Sequence, residues 1–357
     1  MRIIRRYIGN LVLGNILLVL AALLMLFGFF DLIYELKDIG AGSYKLTYAL
    51  TFIVLSLPGH LYELLPVAAL IGSLLAIAQL VTHSEYAVMR TAGVSILGVS
   101  RSLAGVGIML ALTTLIVGEY LTPISEEAAQ RLRLKQTSSV VAQSFRSGLW
   151  VKDNLSFVNV GRVMHDSSLQ EIKIYEFDEE YRLLTIRQAK EAAYLGGNQW
   201  NLKEVVQTKF GGNRSFVEHN GNLKWNSVLT PDILSVLLVP PQRMSLWTLF
   251  SYIQHLRNNG QDSARYEIAM WTKVVYPIAV LVMMVLALPF AYMNARAGGI
   301  GGKIFTGIML GLSFHLLNRL FGHVGLLAAW PPFVAALLPT LLFLVVGIGT
   351  IRWFERR

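Results

Sequence analysis

The chain has 357 residues, 54% hydrophobic and 15% charged, with a formal net charge of +9 and a mean hydropathy of +0.52. Soluble domains carry about 25% charged residues, and one water-soluble core of this size cannot hide so much apolar surface, so lipid is part of the solvent. The lack of cysteine excludes disulfides, thiol catalysis and thiolate metal sites, and the basic balance is read against the membrane rather than as a nucleic-acid signal.

A spanning helix needs about 20 apolar residues. The first candidate is 8–35. Arg2, Arg5 and Arg6 precede it as in a signal peptide, but the apolar run from Tyr7 to Tyr34 outlasts an h-region and no small-x-small site ends it, so it reads as a retained helix. The second, 48–81, contains Pro58 and Pro66, which predict kinks. The third runs from Gly98 to Thr122, and after a long polar stretch spans return at 267–294, 303–325 and 331–351. The predicted fold class is an α-helical membrane protein of six transmembrane helices with an inserted extramembrane all-β domain between the third and fourth. The units are 1–122, 123–265 with its β-domain at about 140–240, and 266–357.

Lys and Arg in short loops set the orientation. One side carries Arg2, Arg5, Arg6, Arg90, Arg101, Arg296, Lys303, Arg352, Arg356 and Arg357, the other only Lys37, Lys45 and Arg319. Both termini are therefore expected in the cytoplasm and the insertion outside.

The insertion reads as strands at 148–152, 155–160, 171–177, 182–189, 192–195, 199–210 and 216–225. Turn signals at Asp153-Asn154, Gly196-Gly197, Gly211-Gly212-Asn213 and Asn220-Gly221-Asn222 separate them, and such spacing suggests a sandwich or jelly roll. Ser245 to Leu256 follows as an amphipathic helix ending at Asn258-Asn259-Gly260.

Between the second and third spans, His83 to Gly93 predicts a short cytoplasmic helix. Ser84 suits the N-cap, Glu85 and Arg90 complement the helix dipole, and Gly93 suits a left-handed end. Glu85, Val88, Met89 and Ala92 share a stripe by spacing. The pattern fits an ordinary connector as well as a docking helix for a cytoplasmic partner. No motor is visible on the chain: Gly298-Gly299-Ile300-Gly301-Gly302-Lys303-Ile304 has the wrong glycine spacing for a phosphate loop and lacks the Mg²⁺ hydroxyl, so it reads as a flexible turn. His60 and Glu63 share a helix face but are too few for a metal site, and no Gly-x-Ser-x-Gly elbow supports a hydrolase.

Ionisable residues in or near spans are functional candidates. Asp31 and Glu35 close the first helix, Lys37 and Lys45 lie beyond it, Lys273 opens the fourth span, and His315, Asn318 and Arg319 end the fifth. Mutual neutralisation with snorkelling explains them; so does a polar cavity rim gripping an anionic head, to which Arg131, Arg133 and Lys135 would add cationic donors. Gly307 and Gly311 form a small-xxx-small pair favouring close helix contact.

Several segments then form a recognisable set: Arg6-Tyr7-Ile8, Gly40-x-Gly42-Ser43-Tyr44, Leu65 to Leu70, Ser84-Glu85 through Ala92-Gly93, Gly118-Glu119 before Pro123, Gly148-Leu149-Trp150-Val151-Lys152-Asp153, and Gly260-Gln261-Asp262. Together they resemble the LptF/LptG family of lipopolysaccharide export permeases over essentially the whole chain, and the Gly-Leu-Trp-x-Lys-Asp entry inclines the likeness to the LptG branch. The resemblance implies six helices with a periplasmic jelly roll, residence in the bacterial inner membrane, and pairing with an LptF-like chain around a V-shaped cavity. It further implies a cytoplasmic LptB-like ATPase dimer that binds ATP and Mg²⁺, an LptC-like bridge, lipopolysaccharide as substrate, and no cofactor or catalytic residue here. By position, Ser84, Glu85, Val88, Met89, Arg90 and Ala92 would form the coupling helix. Lys37, Lys45, Arg131, Arg133, Asp31 and Arg319 are the lipopolysaccharide-binding candidates, Asp31 standing where the family leads one to expect Lys. An LptF-type paralogue and a membrane scaffold or sensor with an extracytoplasmic β-domain are the competing readings.

Overall fold

The computed structural model describes residues 2–40, 43–92, 96–137, 148–164, 168–211, 214–231, 239–293 and 300–355. Gly42, Gly93, Gly212, Asn213, Arg296, Gly298 and Gly299, which the sequence singled out, lie outside them. The helices are α1 (Arg2–Glu35), α2 (Leu46–Thr82), α3 (Glu85–Thr91), α4 (Ile96–Ile116), α5 (Thr122–Thr137), α6 (Leu246–Asn258), α7 (Ala264–Met293), α8 (Ile300–Leu327) and α9 (Pro332–Glu355). Six segments are long and apolar enough to cross a membrane: Ile3–Asp38, Leu46–Thr82, Ser102–Arg133, Ala264–Pro289, Gly301–Leu327 and Pro332–Trp353.

The third segment departs from expectation. The chain does not leave helix at Thr122; α4 passes through a π-helical stretch, Val117–Leu121, straight into α5. Likewise Lys273 lies well inside α7 rather than at its start, and Arg319 lies inside α8.

α2 is the axis of the bundle and packs against α1, α5, α7 and α8. One apolar cluster joins Ile8, Val12 and Ile16 of α1, Leu65, Leu70, Leu74 and Ile77 of α2, Val280, Met283 and Leu286 of α7, Phe314 of α8 and Phe343 of α9. In lipid, helices gain little from hiding apolar surface and associate by close packing of small residues. A Cβ on Gly72 would stand 2.5 Å from the Ile16 Cα, and one on Gly311 2.5 Å from Val67. The Gly307/Gly311 pair is thus the face that α8 lays on α2. Pro66 leaves the Tyr62 carbonyl without its amide; beside that gap the Tyr276 hydroxyl donates to the Glu63 carbonyl at 2.7 Å.

The inserted domain is all-β. Its strands are β1 (Leu149–Asp153), β2 (Ser156–Val163), β3 (Leu169–Phe177), β4 (Leu183–Gly196), β5 (Gln199–Gly211) and β6 (Arg214–Asn226), antiparallel and in sequential order. Two expectations fail here. The strands expected at 182–189 and 192–195 are one strand, β4, and Asn220-Gly221-Asn222 is no turn but the interior of β6, opposite Lys203 to Val205.

Both departures have one cause. Each ladder skips one position at the same level: Gly161 faces Glu171, which faces Lys190, which faces Glu204, which faces Gly221, none of them paired. Glu171 and Glu204 there have φ of 55° and 50°, in the left-handed region. Because every strand carries its own extra residue, the register survives, but the in–out alternation shifts by one. Inward residues are Val158 and Val160 then Val163, Leu169 then Ile172 and Ile174, Ala189 then Ala192, Trp200 and Leu202 then Val205. The sheet is creased along this line, and both halves bury their apolar side in one cluster. The cluster is closed by Leu229, whose carbonyl accepts from Trp200 Nε1 at 2.7 Å.

The Gly148–Asp153 entry acquires a physical meaning. Gly148 has φ of 79°, and a Cβ there would lie 2.9 Å from the Val160 carbonyl. Leu149 enters the core, Trp150 stacks on Tyr175, and buried Asp153 accepts from Ser227 Oγ at 2.6 Å. The amphipathic helix is as expected: Ser245 caps α6, its side chain accepting from the Thr248 amide.

Candidate functional site

Three polar assemblies gather where the β-domain meets the bundle. The first joins the end of α1 to α5. Gly40, with φ of 96°, donates its amide to the Tyr44 carbonyl at 3.1 Å and turns the chain so that the Tyr44 hydroxyl donates to buried Glu35 at 2.7 Å. Burial and that hydrogen bond push the Tyr44 phenol upward, so it stays protonated as a donor. Arg133 of α5 pairs with Asp38, stands 3.7 Å from Glu35, and lies over the rings of Tyr34 and Phe52. Lys37 is exposed, its ammonium 5.6 Å from the Tyr34 ring centroid. Lys45 is exposed at the start of α2.

The second is a single contact: Asp31 of α1 meets His60 Nε2 of α2 at 2.6 Å, with Phe27 packed on the imidazole. The Asp31 carboxylate is therefore spoken for from within the chain. His60 and Glu63 do not act together, because Glu63 turns to a different partner.

The third ties the chain leaving the β-domain to the bundle. Arg243 bonds Glu63 of α2 at 3.1 Å and Glu126 of α5 at 2.8 Å. Burial disfavours the guanidinium charge, but the attraction of Glu63 and Glu126 outweighs it and holds Arg243 above its ordinary value. Gly59 makes the seat, since a Cβ there would touch the guanidinium at 3.2 Å. One step on, Glu119 in the π-helical stretch accepts the Leu246 amide at 2.9 Å and stands 3.7 Å from Lys273, which donates to the Met244 carbonyl. Glu119 thereby caps the α6 N-terminus, where a carboxylate is favoured.

The other candidates separate. Arg131, Arg133 and Lys135 were expected side by side, but on a helix residues two apart do not share a face. Arg131 points to solvent and pairs with Glu127 four residues earlier, while Arg133 points inward; the Lys135 side chain lies outside the described ones. Arg319 is exposed on α8. At the far end of the bundle, Ser84 takes φ of 60° instead of the extended conformation of an N-cap, so it ends α2 in the left-handed region while its carbonyl accepts from Val88. The expected stripe divides: Glu85 accepts from Tyr7 of α1 at 2.8 Å, Met89 packs on the bundle core, and Val88 (67% exposed) and Ala92 face outward. The Arg90 side chain is outside the described ones.

Glu119, Glu126, Arg243 and Tyr44 were not among the candidates. Their signal was faint: charges just outside apolar spans, and an arginine between a proline pair and a capped helix.

Residues 6–353 match the model of the family described as lipopolysaccharide export system permease LptF/LptG. The chain is 33% identical over 342 residues to the lipopolysaccharide export system permease protein LptG of Haemophilus influenzae, covering 96% of each chain. It is also 33% identical over 348 residues to the protein of that name from Escherichia coli K12, covering 97% of each.

Proposed function

Because this chain belongs to the LptF/LptG family of lipopolysaccharide export system permeases, we propose that it is an LptG-type transport subunit moving lipopolysaccharide out of the bacterial inner membrane. It pairs with an LptF-like chain around a shared cavity. An LptB-like ATPase dimer supplies ATP hydrolysis, and an LptC-like bridge receives the lipid. Both termini lie in the cytoplasm and the β-domain in the periplasm, as the Lys and Arg distribution supports. The units are 1–122, 123–265 and 266–357, with the apolar third segment carried into the second unit by α5.

The observation that carries the binding role is the contrast between cations at the α1–α2 turn. Arg133 is matched by Glu35 and Asp38, whereas Lys37 and Lys45 stand exposed beside it. Above an α1 whose Phe29, Phe30 and Ile33 are also exposed, this combines a surface for acyl chains with point charges for phosphates. Arg133 supports the rim from behind, and Arg319 is a further exposed cation on α8. At the other end, α3 seats in the ATPase, with Val88 and Ala92 outward and Glu85 braced by Tyr7.

Photo-crosslinking to lipopolysaccharide in the purified complex tests the rim. Lys37→Ala with Lys45→Ala lowers crosslinking several-fold and leaves subunit assembly intact; unchanged crosslinking removes both from the site. Glu85→Ala uncouples ATP hydrolysis from export or releases the ATPase, and normal export in that variant refutes the seating of α3.

A further inference from the structure

Helix α6 has two unlike sides. Leu249, Ile253 and Leu256 are buried, Leu249 against Met244 and Ala269. The outward side of the first turns carries Trp247, 75% exposed, and Phe250, 49% exposed, with ring centroids 6.5 Å apart. Arg257 and Asn258 are exposed at the other end. An aromatic pair with a cation and an amide beyond it fits a helix that starts in a membrane interface and leaves it.

The depth of that first turn follows from its ties to the spans. Glu63 lies about 19 residues from the Thr82 end of its segment, Glu119 about 17 from Ser102, and Lys273 about 16 from Pro289, which at 1.5 Å per residue is roughly 24–28 Å. The hydrocarbon core is about 30 Å thick. All three residues therefore stand at the same level, the outer hydrocarbon boundary, and all three hold the chain at Arg243 to Leu246. Tyr120, next to Glu119, is 65% exposed and belongs to the same aromatic ring around the bundle. The start of α7, reached from the far end of α6, is about nine residues or 14 Å further out than Lys273. So α6 climbs from the boundary to beyond the headgroup layer.

We propose that Trp247 and Phe250 insert into the lipid interface of the outer leaflet and form a membrane anchor at the base of the β-domain. Partner protein on the same face is the competing occupant. The lipid surface is favoured because the aromatic pair is fixed at the bilayer boundary and continues the exposed apolar surface of the spans, including Val274 and Ile278 of α7.

The cysteine-free chain makes the test direct. Trp247→Cys, Phe250→Cys and Arg257→Cys, each carrying a nitroxide in the full-length chain in lipid nanodiscs, are compared for accessibility to oxygen and to a water-soluble nickel chelate. Ile278→Cys serves as the lipid-facing control. Labels at 247 and 250 favour oxygen, and the label at 257 favours nickel. Nickel access at 247 equal to that at 257, or shielding of 247 and 250 from both reagents on adding the partner subunits, overturns the proposal. If Ile278 itself is open to nickel, the membrane-spanning reading fails instead.

Discussion

Replacing Arg243 by alanine removes the one cation between Glu63 and Glu126. The guanidinium nitrogens approach the two carboxylates at 3.1 and 2.8 Å, and the Glu126 side chain is 3% exposed. With charge centres about 4 Å apart and an effective dielectric near 20, each pair is worth about 4 kcal/mol of gross attraction. Desolvation offsets much of this, but deleting one partner leaves the others buried and uncompensated, a loss of about 3–5 kcal/mol. Arg243→Ala should therefore lower the unfolding free energy by that amount in a denaturant titration of the full chain in mixed micelles. Adding Glu126→Gln should restore at least about 1 kcal/mol, since a neutral amide no longer repels Glu63; coupling of this size is expected for residues in one network. If Arg243→Ala costs under about 1 kcal/mol, or the second substitution adds its own loss instead of relieving the first, the cluster is not a buried charge triad and the reasoning is wrong.

Two other outcomes follow from geometry and charge. Gly72→Ala drives a methyl into the backbone of α1, at 2.5 Å from the Ile16 Cα; a cost of about 1–3 kcal/mol or more is expected from such overpacking, read in the same titration, with Gly105→Ala, which meets nothing within 4 Å, as the neutral comparison. Burial holds His255 of α6 below its ordinary value, more than Asp153 raises it. The unfolded chain then binds the proton more readily, so this contribution is complete above pH of about 6.5 and is lost as pH falls below it. Amide exchange in α6 should quicken over that interval, and His255→Gln should flatten the dependence.

The membrane-spanning framework was legible because twenty-residue apolar runs leave little choice, and the capped helix after Ser245 because its cap and its end are both local signals. What escaped were features that depend on partners distant in sequence. Lys190-Glu191 looked like a strand break, and Asn220-Gly221-Asn222 like a turn, because alternation really does fail there; only the alignment of those failures across five strands reveals a crease. Arg133 looked like a ready phosphate ligand because its neighbours Glu35 and Asp38 lie nearly a hundred residues earlier. Asp31, an anomaly in sequence, is ordinary once His60 is beside it.

The π-helical stretch Val117–Leu121 acts as a phase gear between α4 and α5. A π turn takes up one residue more than an α turn, so deleting a single residue there would let the helix close into continuous α form and turn everything beyond it by about 100°. Glu126 and Arg133 ride on that side. Both would swing away from Arg243 and from Glu35 together, with every side chain still present in the sequence. Which charges meet at the top of this bundle is thus set by rotation as much as by composition, and a one-residue deletion at the gear would do more harm than losing either charge.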